Sequence, residues 1–130
     1  MSDFGQSLSI TASGMRAQAM RLRLQSENIA NADTPGFHRK TVDFRAEVEA
    51  GRPTGAVAPG KVALDRSELA RIHDPAHPLA DAEGYYQGSN VDLVVELADA
   101  REAQRSYEAN LRLFDQVRQM SRNLLDLLRR

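Results

Sequence analysis

Two stretches of regularly spaced apolar residues lie near the ends of the chain. In the first, apolar positions recur with alternating steps of four and three residues, interrupted by Ser26. This N-terminal stripe consists of Leu8, Ala12, Met15, Ala19, Leu22 and Ile29. Such heptad spacing is typical of an α-helix that packs along a partner helix. The pattern predicts a helix from about Asp3 to Ala30, within an N-terminal element of residues 1–32, that is roughly 40 Å long at 1.5 Å per residue.

The second stretch follows the same alternation near the other end of the chain, with Gln104 as its polar member. This C-terminal stripe consists of Leu93, Leu97, Ala100, Tyr107, Leu111, Phe114, Val117, Met120, Leu124 and Leu127. After Phe114 consecutive three-residue steps shift the stripe around the helix axis, so its two halves are expected to face different neighbours. Ser89 followed by Asp92 resembles a capping box. We therefore predict a second helix within residues 89–130.

The region between the two stripes contains the residues that break helices. All five Pro, all three His and six of the eight Gly lie between Asp33 and Gly88, and the flanks contain no Pro. Because Pro lacks an amide donor and clashes with the preceding turn, residues 33–88 are predicted to be irregular. Thr41–Phe44 and Lys61–Leu64 are candidate strands for a short hairpin, although the Gly- and Pro-rich stretch between them equally fits a mobile loop.

The predicted fold class is mainly α, with paired, coiled-coil-like terminal helices and a short irregular or β middle. The two stripes carry more apolar surface than that middle can cover. Pairing the helices would bury one stripe and leave other apolar residues outside it, namely Ile10, Leu24, Val94, Leu113, Leu125 and Leu128. Since large exposed apolar patches generally mark interaction sites, we predict that the stripe residues pack between subunits. The periodicity alone fits a monomeric two-helix hairpin equally well.

Composition excludes several classes of function. A chain of 130 residues has room for one ordinary domain. Its 17 basic and 18 acidic residues nearly cancel, which argues against binding to nucleic acid or to an anionic membrane. There is no Cys, and no apolar run is long enough to insert into a bilayer. The first residues, Met1–Gln6, do not resemble a cleaved secretory signal.

The most reactive-looking segment is His73-Asp74-Pro75-Ala76-His77. A small metal hydrolase using His73 and His77 is the enzymatic alternative, but Pro75 prevents the helical His pair that zinc sites commonly use. The sequence also lacks a Gly-x-Ser-x-Gly elbow and a phosphate-binding glycine loop. The basic cluster His38-Arg39-Lys40 is interpreted as a solvated turn. We predict no catalytic, cofactor-binding or metal-binding residues and no enzymatic activity.

The N-terminal stripe ends in the segment Asn28–Phe37, which contains several residues typical of caps and turns. Asn and Asp side chains satisfy the backbone groups at a helix end, and Pro35-Gly36 suits a type II turn. The segment therefore predicts that the chain changes direction sharply here.

This segment resembles the N-terminal signature of the bacterial flagellar axial proteins, the family of rod, hook and hook-junction subunits. The resemblance is carried by Asn28, Asn31, Thr34, Pro35, Gly36 and Phe37. Ser89–Asp92 and Arg105–Asn110 resemble the C-terminal signature of the same family, and the matching residues there are Asn90, Arg105, Tyr107 and Asn110. Both signatures occur in one chain in the expected order.

Within this family, the short length and the run Asp74–Asp81 followed by Gly84-Tyr85 are similar to a proximal rod protein, with the sister short rod protein as the alternative. The resemblance implies a structural subunit that is exported by the flagellar type III apparatus without a cleaved signal. It implies assembly with other rod proteins, and with the inner-membrane ring and its adaptor proteins, into a periplasmic helical tube of identical and different subunits that transmits torque. The alternative outside the family is a cytoplasmic helical-hairpin adaptor.

Overall fold

A long helix lies at each end of the chain and strands lie between them. The computed structural model describes residues 2–130. Its elements are α1 (Ser2–Ala30), β1 (Lys40–Glu49), β2 (Arg52–Leu64), β3 (Arg71–His73), β4 (Tyr85–Gln87) and α2 (Leu93–Leu128). The prediction of two terminal helices with a strand-containing middle is thus confirmed. In the described residues, no helix combines the length and the apolar character needed to cross a membrane.

The start of α2 differs in detail from the expectation. Its N-cap is Asp92, whose side chain accepts hydrogen bonds from the amides of Val94 at 3.1 Å and Val95 at 3.4 Å. Such a carboxylate satisfies donors that have no partner within the helix and interacts favourably with the helix dipole. The interpretation of Ser89 as the first residue of a capping box was wrong, because Ser89 lies before the helix and bonds elsewhere.

Helices α1 and α2 pack against each other in antiparallel orientation. A Cβ atom built on Gly14 would lie 3.0 Å from the Asn110 side chain, and the Arg21 guanidinium lies 3.9 Å from the Glu102 carboxylate. Glycine at position 14 therefore lets the two helices approach closely. Extending this register along both helices leaves the residues after about Arg122 without an α1 residue opposite them.

Strands β1 and β2 form an antiparallel hairpin that is much longer than the two predicted strands. The predicted pairing region is present, with Thr41 opposite Ala63 and Val42 opposite Val62. Pairing then continues to Glu49 and Arg52 through two register shifts. Pro59 and Pro53 stand beside these shifts, opposite Phe44 and Val48. Prolines are tolerated there because bulges and edge strands do not need every amide donor.

The hairpin lies along α1. The Ser13 hydroxyl accepts a hydrogen bond from the Val57 amide at 3.0 Å and donates one to the Ile10 carbonyl at 2.6 Å. A side chain on Gly55 would collide with Ile10, since its Cβ would lie 2.9 Å from the Ile10 Cδ1 atom. Ala56, between these contacts, is buried. Small residues thus allow the strand backbone to approach the helix.

The apolar core of the molecule is very small. Among the side chains that the structure describes, the buried apolar residues are Ala17, Leu24, Ala56 and Ala103. Three of these four are alanines. The residues with the largest fully buried side chains are polar, Glu96 and Asn28. Polar groups therefore make up a large part of what is buried between the elements.

Candidate functional site

The segment that follows α1 forms the sharp turn expected from its sequence. The Asn31 side chain donates to the Glu27 carbonyl at 2.9 Å and accepts from the Thr34 hydroxyl at 3.1 Å. The Phe37 amide then donates to the Thr34 carbonyl at 3.2 Å, and Gly36 has φ of 74°. This hydrogen bond, with a positive φ at the third turn residue, is the geometry of a type II turn. Pro35 and Gly36 therefore occupy the positions for which they are suited.

Asn28 joins the end of α1 to the start of the hairpin. Its side chain is completely buried and pairs with both backbone groups of one strand residue. The amide of Lys40 donates to Asn28 Oδ1 at 2.8 Å, and Asn28 Nδ2 donates to the Lys40 carbonyl at 2.9 Å. The Lys40 ammonium also contacts the Glu27 carboxylate at 2.5 Å. The position of β1 is thus fixed relative to the last turn of α1.

The residues before α2 close the same turn from the other side. The Ser89 hydroxyl donates to the Ala32 carbonyl, and the Gly36 amide donates to the Gly88 carbonyl at 3.0 Å. Asn90 accepts from the Arg39 amide at 2.7 Å and donates to the Asp65 carbonyl at 2.8 Å. The two segments that resemble family signatures therefore contact each other directly.

An ion network lies at the centre of this contact. Arg39 Nε lies 2.6 Å from Glu96 Oε1, and Arg39 Nη1 lies 3.3 Å from Asp65 Oδ2. The Glu96 side chain is 1% exposed, so its charge is held in the interior by the guanidinium. We call the set of Asn28, Arg39, Lys40, Asp65, Ser89, Asn90 and Glu96 the junction.

The junction shifts the pKa values of two of its members. Burial by itself lowers the pKa of Arg39, but the hydrogen bond and charge of Glu96, followed by those of Asp65, raise it above the ordinary value. Hydrogen bonds from the backbone and side chain of Ser67, and then from Arg39, lower the pKa of the Asp65 carboxyl. Both groups are therefore charged near neutral pH.

Sequence reasoning found only part of the junction. Asn28 and Asn90 were predicted through the family resemblance, whereas Arg39 was interpreted as part of a solvated turn, which was wrong. Glu96 and Asp65 were missed altogether. No local pattern indicates them, because Glu96 is an ordinary acidic residue in the first turn of a helix and its partner Arg39 is 57 residues away.

The remaining residues of the C-terminal signature lie along α2. Asn110 faces Gly14 of α1, and its side chain donates to the Ser106 carbonyl at 3.0 Å. Tyr107 is partly buried and Arg105 is exposed. Arg105 lines a surface groove of about 460 Å³ together with the apolar residues Val94 and Leu97. These three signature residues are thus placed on the helix pair rather than at the junction.

The C-terminal stripe is largely uncovered in the single chain. Its exposed members are Leu93, Leu97, Leu111, Met120, Leu124 and Leu127. Ala100, Tyr107, Phe114 and Val117 are partly buried. The exposed positions range from 38% at Leu124 to 66% at Leu127. Val94, Leu113 and Leu128, which were expected to lie outside the main stripe, are exposed as well.

The N-terminal stripe is partly covered. Leu8, Ala12, Met15, Leu22 and Ile29 are partly buried, and Ala19 is exposed. The most buried α1 positions are different ones, Ser13, Ala17, Leu24, Gln25 and Asn28. The expectation that Leu24 remains uncovered was therefore wrong. The most buried positions of α1 are thus small or polar residues and Leu24, not the residues of its apolar stripe.

The histidine segment lies in the connection between β3 and β4. The His77 ring stacks on Tyr86 with ring centres 3.8 Å apart, and His73 meets the edge of Tyr85 at 4.7 Å. His77 Nδ1 also accepts a hydrogen bond from the Leu79 amide at 3.1 Å. Hydrogen bonds from the amides of Tyr85, then Glu83, lower the pKa of the Asp81 carboxyl in the same segment. Both imidazoles therefore help to order this loop.

Comparison with known proteins shows that both signature segments match families of flagellar proteins. Residues 8–38 match the family described as "Flagella basal body rod protein", and residues 82–127 match "Flagellar basal body rod FlgEFG protein C-terminal". These two matches include Asn28 and the turn at one end, and Asn90 and Glu96 at the other. The chain is thus a member of the class of flagellar rod proteins.

Individual relatives define the family more closely. The flagellar basal-body rod protein FlgC of Agrobacterium fabrum is 42% identical over 127 residues, covering 92% of this chain and 91% of that protein. FlgC of Salmonella typhimurium is 34% identical, covering 91% of this chain and 92% of that protein. FlgC of Bacillus subtilis is 31% identical, covering 93% and 95%. The chain belongs to the FlgC family of flagellar basal-body rod proteins.

Family membership confirms the function predicted from the resemblance. The chain is a structural rod subunit of the flagellar basal body, where it assembles with other rod components. The interpretation as a cytoplasmic adaptor is not supported.

Proposed function

We propose that this chain is a subunit of the proximal part of the rod, that it assembles through the outward-facing residues of its two terminal helices, and that it transmits torque. Its neighbours are other rod proteins, together with the inner-membrane ring and its adaptor proteins. Its work is mechanical, and no catalytic step is assigned to its residues.

The observation that carries this proposal is the mismatch between buried and exposed apolar surface. In the described part of the chain, Leu24 is the one large apolar residue with less than a tenth of its surface exposed. In contrast, ten Leu, Val and Met residues of α2 are exposed. Contiguous apolar surface of this kind usually marks a protein interface. Because these residues recur at helical spacing, the surface they form suits neighbouring helices.

Covering this surface would make a large contribution to the free energy of assembly. Complete burial of a Val, Leu or Met side chain contributes about 1.5–3 kcal/mol. Since the α2 side chains are about half exposed, each would contribute about 1 kcal/mol on assembly. The exposed residues of α2 alone therefore supply an amount comparable with the cost of immobilising a subunit.

The two stripes are proposed to form coiled-coil-like contacts with helices of neighbouring subunits. Gly14 of α1 lies against Asn110 of α2, and Ala17 and Ala103 are buried, whereas most of the apolar stripe of α2 is exposed. A stripe with heptad spacing that is uncovered in its own chain is suited to knobs-into-holes packing with another chain. The shift of the stripe after Phe114 supports different neighbours for the two halves of α2.

The junction supports the mechanical part of the proposal. Torque passes through a subunit only if its elements keep fixed relative positions under load. The buried Glu96–Arg39 pair and the two-point contact between Asn28 and Lys40 connect α1, the hairpin and α2 through directional bonds. Such bonds resist reorientation more strongly than a small apolar core would.

Replacing exposed stripe residues by charged ones tests the proposal. Leu97→Asp with Leu111→Asp places two carboxylates in the proposed interface, and an unpaired buried charge costs several kcal/mol. We expect export of the variant to be unchanged, while its incorporation into purified basal bodies and swimming are abolished. The measurements are immunoblots of exported protein and of basal bodies, and swimming speed.

A matched control is Gln116→Asp, which adds a carboxylate at an exposed polar position of the same helix outside the stripe. This variant should swim normally. Normal swimming by the double Leu variant would refute the assignment of the stripe to a subunit interface.

A further inference from the structure

A small cavity, partly open to solvent, lies where α1, β1 and α2 meet. Its volume is about 130 Å³, and the residues around it include Leu24 and Gln25 of α1, Val42 of β1, and Glu96 and Asp99 of α2. A single water molecule requires only about 10–15 Å³ of such volume. The cavity is therefore large enough for several waters.

Two buried acceptor atoms belong to residues that line this cavity. Glu96 Oε1 is held by Arg39, but no protein donor among the described residues reaches Glu96 Oε2. The same is true of Gln25 Oε1, and the two residues are only 1% and 6% exposed. A buried acceptor without a donor destabilises a fold by an amount comparable with a lost hydrogen bond. Two of them beside one cavity indicate a shared donor.

We propose that ordered water in this cavity donates hydrogen bonds to Glu96 Oε2 and Gln25 Oε1 and so bridges α2 to α1. The charges of the lining favour water over a cation. Arg21, Arg39 and Lys40 line the cavity together with the two carboxylates of Glu96 and Asp99. Three positive charges against two negative ones leave no deficit for a further cation to fill. The ligand is thus a small neutral donor.

The site goes beyond the role of the chain as a rod subunit, because it explains how the junction is completed within one chain. Arg39 and Lys40, at the start of the hairpin, line the same cavity as Gln25 and Glu96. Bridging water adds directional bonds between α1 and α2 beside the start of the hairpin, where few apolar side chains are buried.

The substitution Gln25→Met gives opposite results for a hydrated and a dry cavity. It is nearly isosteric and preserves helix propensity while removing the acceptor. With bridging water, the variant loses hydrogen bonds, so its melting temperature falls by a few degrees. The Lys40 amide beside the cavity should then exchange about tenfold faster, the factor that corresponds to one lost hydrogen bond. With a dry cavity, removal of an unsatisfied acceptor leaves the melting temperature unchanged or raises it.

Gln18→Met is the matched control. Gln18 Oε1 is also buried without a donor among the residues that the structure describes, but Gln18 does not line the cavity. Its replacement should leave the melting temperature unchanged or raise it. Magnetisation transfer from long-lived water to the Gln25 side-chain amide in the unsubstituted chain provides a direct second measurement. A rise or no change in the melting temperature of Gln25→Met, or the lack of that transfer, would overturn the proposal without affecting the role in the rod.

Discussion

The Asn28 side chain gives Lys40 the two hydrogen bonds that a neighbouring strand would otherwise provide. Lys40 is the first residue of β1 and lies opposite Leu64, the last residue of β2. The buried amide of Asn28 thus extends the pattern of backbone pairing onto a helix. Only Asn or Gln offers an acceptor and a donor in one planar group, and Asn has the shorter reach.

Replacement of Asn28 should therefore be costly. Asn28→Ala leaves the partly buried amide and carbonyl of Lys40 without these partners, and each such group costs about 1–3 kcal/mol. We expect a loss of about 3 kcal/mol in the free energy of unfolding, measured by urea denaturation. Ser26→Ala, at an exposed position of the same helix, should change it by less than about 0.5 kcal/mol. Equal stabilities for the two variants would contradict the role of Asn28.

Asp65 gives the junction a dependence on pH. The pKa of its carboxyl is lowered from 3.8 in the folded chain, with the amide and hydroxyl of Ser67 as the largest causes, followed by Arg39. A carboxyl whose pKa is lower in the folded state stabilises the fold above its unfolded pKa. That stability is lost as the pH falls through the folded value, because the unfolded chain then binds more protons.

We expect the melting temperature of the chain to fall as the pH is lowered below about 4. Asp65→Asn should be less stable at pH 7 and should depend less steeply on pH below about 4. Asp81, whose pKa is also lowered, remains in the variant and accounts for a residual slope. Melting curves at several pH values measure both effects. Identical slopes for the two chains would show that Asp65 is not linked to folding.

Among the elements, the hairpin differs most from its prediction, because its strands are much longer than the sequence suggested. Its turn is formed by Ala50 and Gly51, with φ of 49° and 78°. Two successive residues with positive φ form a two-residue turn whose twist matches that of the strands. Gly adopts this conformation readily, whereas Ala at the first position is strained.

Ala50→Asn should relieve this strain. Asn tolerates a positive φ better than Ala, and Asn-Gly is the preferred pair for such a turn. We expect the free energy of unfolding of the hairpin to increase by about 0.5–1 kcal/mol, measured by hydrogen exchange of β1 amides. Gly51→Ala should change it in the opposite direction by about 1 kcal/mol. A stabilising effect of Gly51→Ala would show that the turn has another conformation.

At the scale of the whole molecule, the small core predicts uneven stability. Polar contacts concentrate where Asn28, Arg39 and Glu96 meet, whereas the far halves of α1 and α2 have few buried apolar residues. Isolated amphipathic helices are only marginally stable in water. The single chain should therefore be ordered at the junction and loosely ordered toward its ends until neighbouring subunits cover the stripes.

Hydrogen exchange of the isolated chain measures this distribution. We expect the amides of residues 24–28, 39–42 and 94–100 to be the most protected. Amides of residues 3–12 and 112–128 should exchange close to the rate of an unstructured chain, and they should become protected on assembly. Strong protection of both ends in the monomer would contradict the proposal that the stripes need other subunits.

The sequence by itself determined the features that depend on local chemistry. Heptad spacing and the lack of Pro predicted both helices, and Thr34-Pro35-Gly36-Phe37 predicted the type II turn, because each signal lies within a few neighbouring residues. The resemblance carried by Asn28 and Asn90 predicted the family.

Only the tertiary structure decided which residues meet across the chain. The Arg39–Glu96 pair joins residues 57 positions apart, and no local pattern distinguishes Glu96 from a solvated acidic residue. The length of the hairpin was missed because its prolines stand beside register shifts, which depend on the pairing itself. Ala17 and Leu24 are buried, whereas the N-terminal stripe is only partly covered. This difference likewise depends on how closely α2 and the hairpin approach α1. Contacts between distant segments are determined by packing, and no short stretch of the sequence specifies which distant residues will meet.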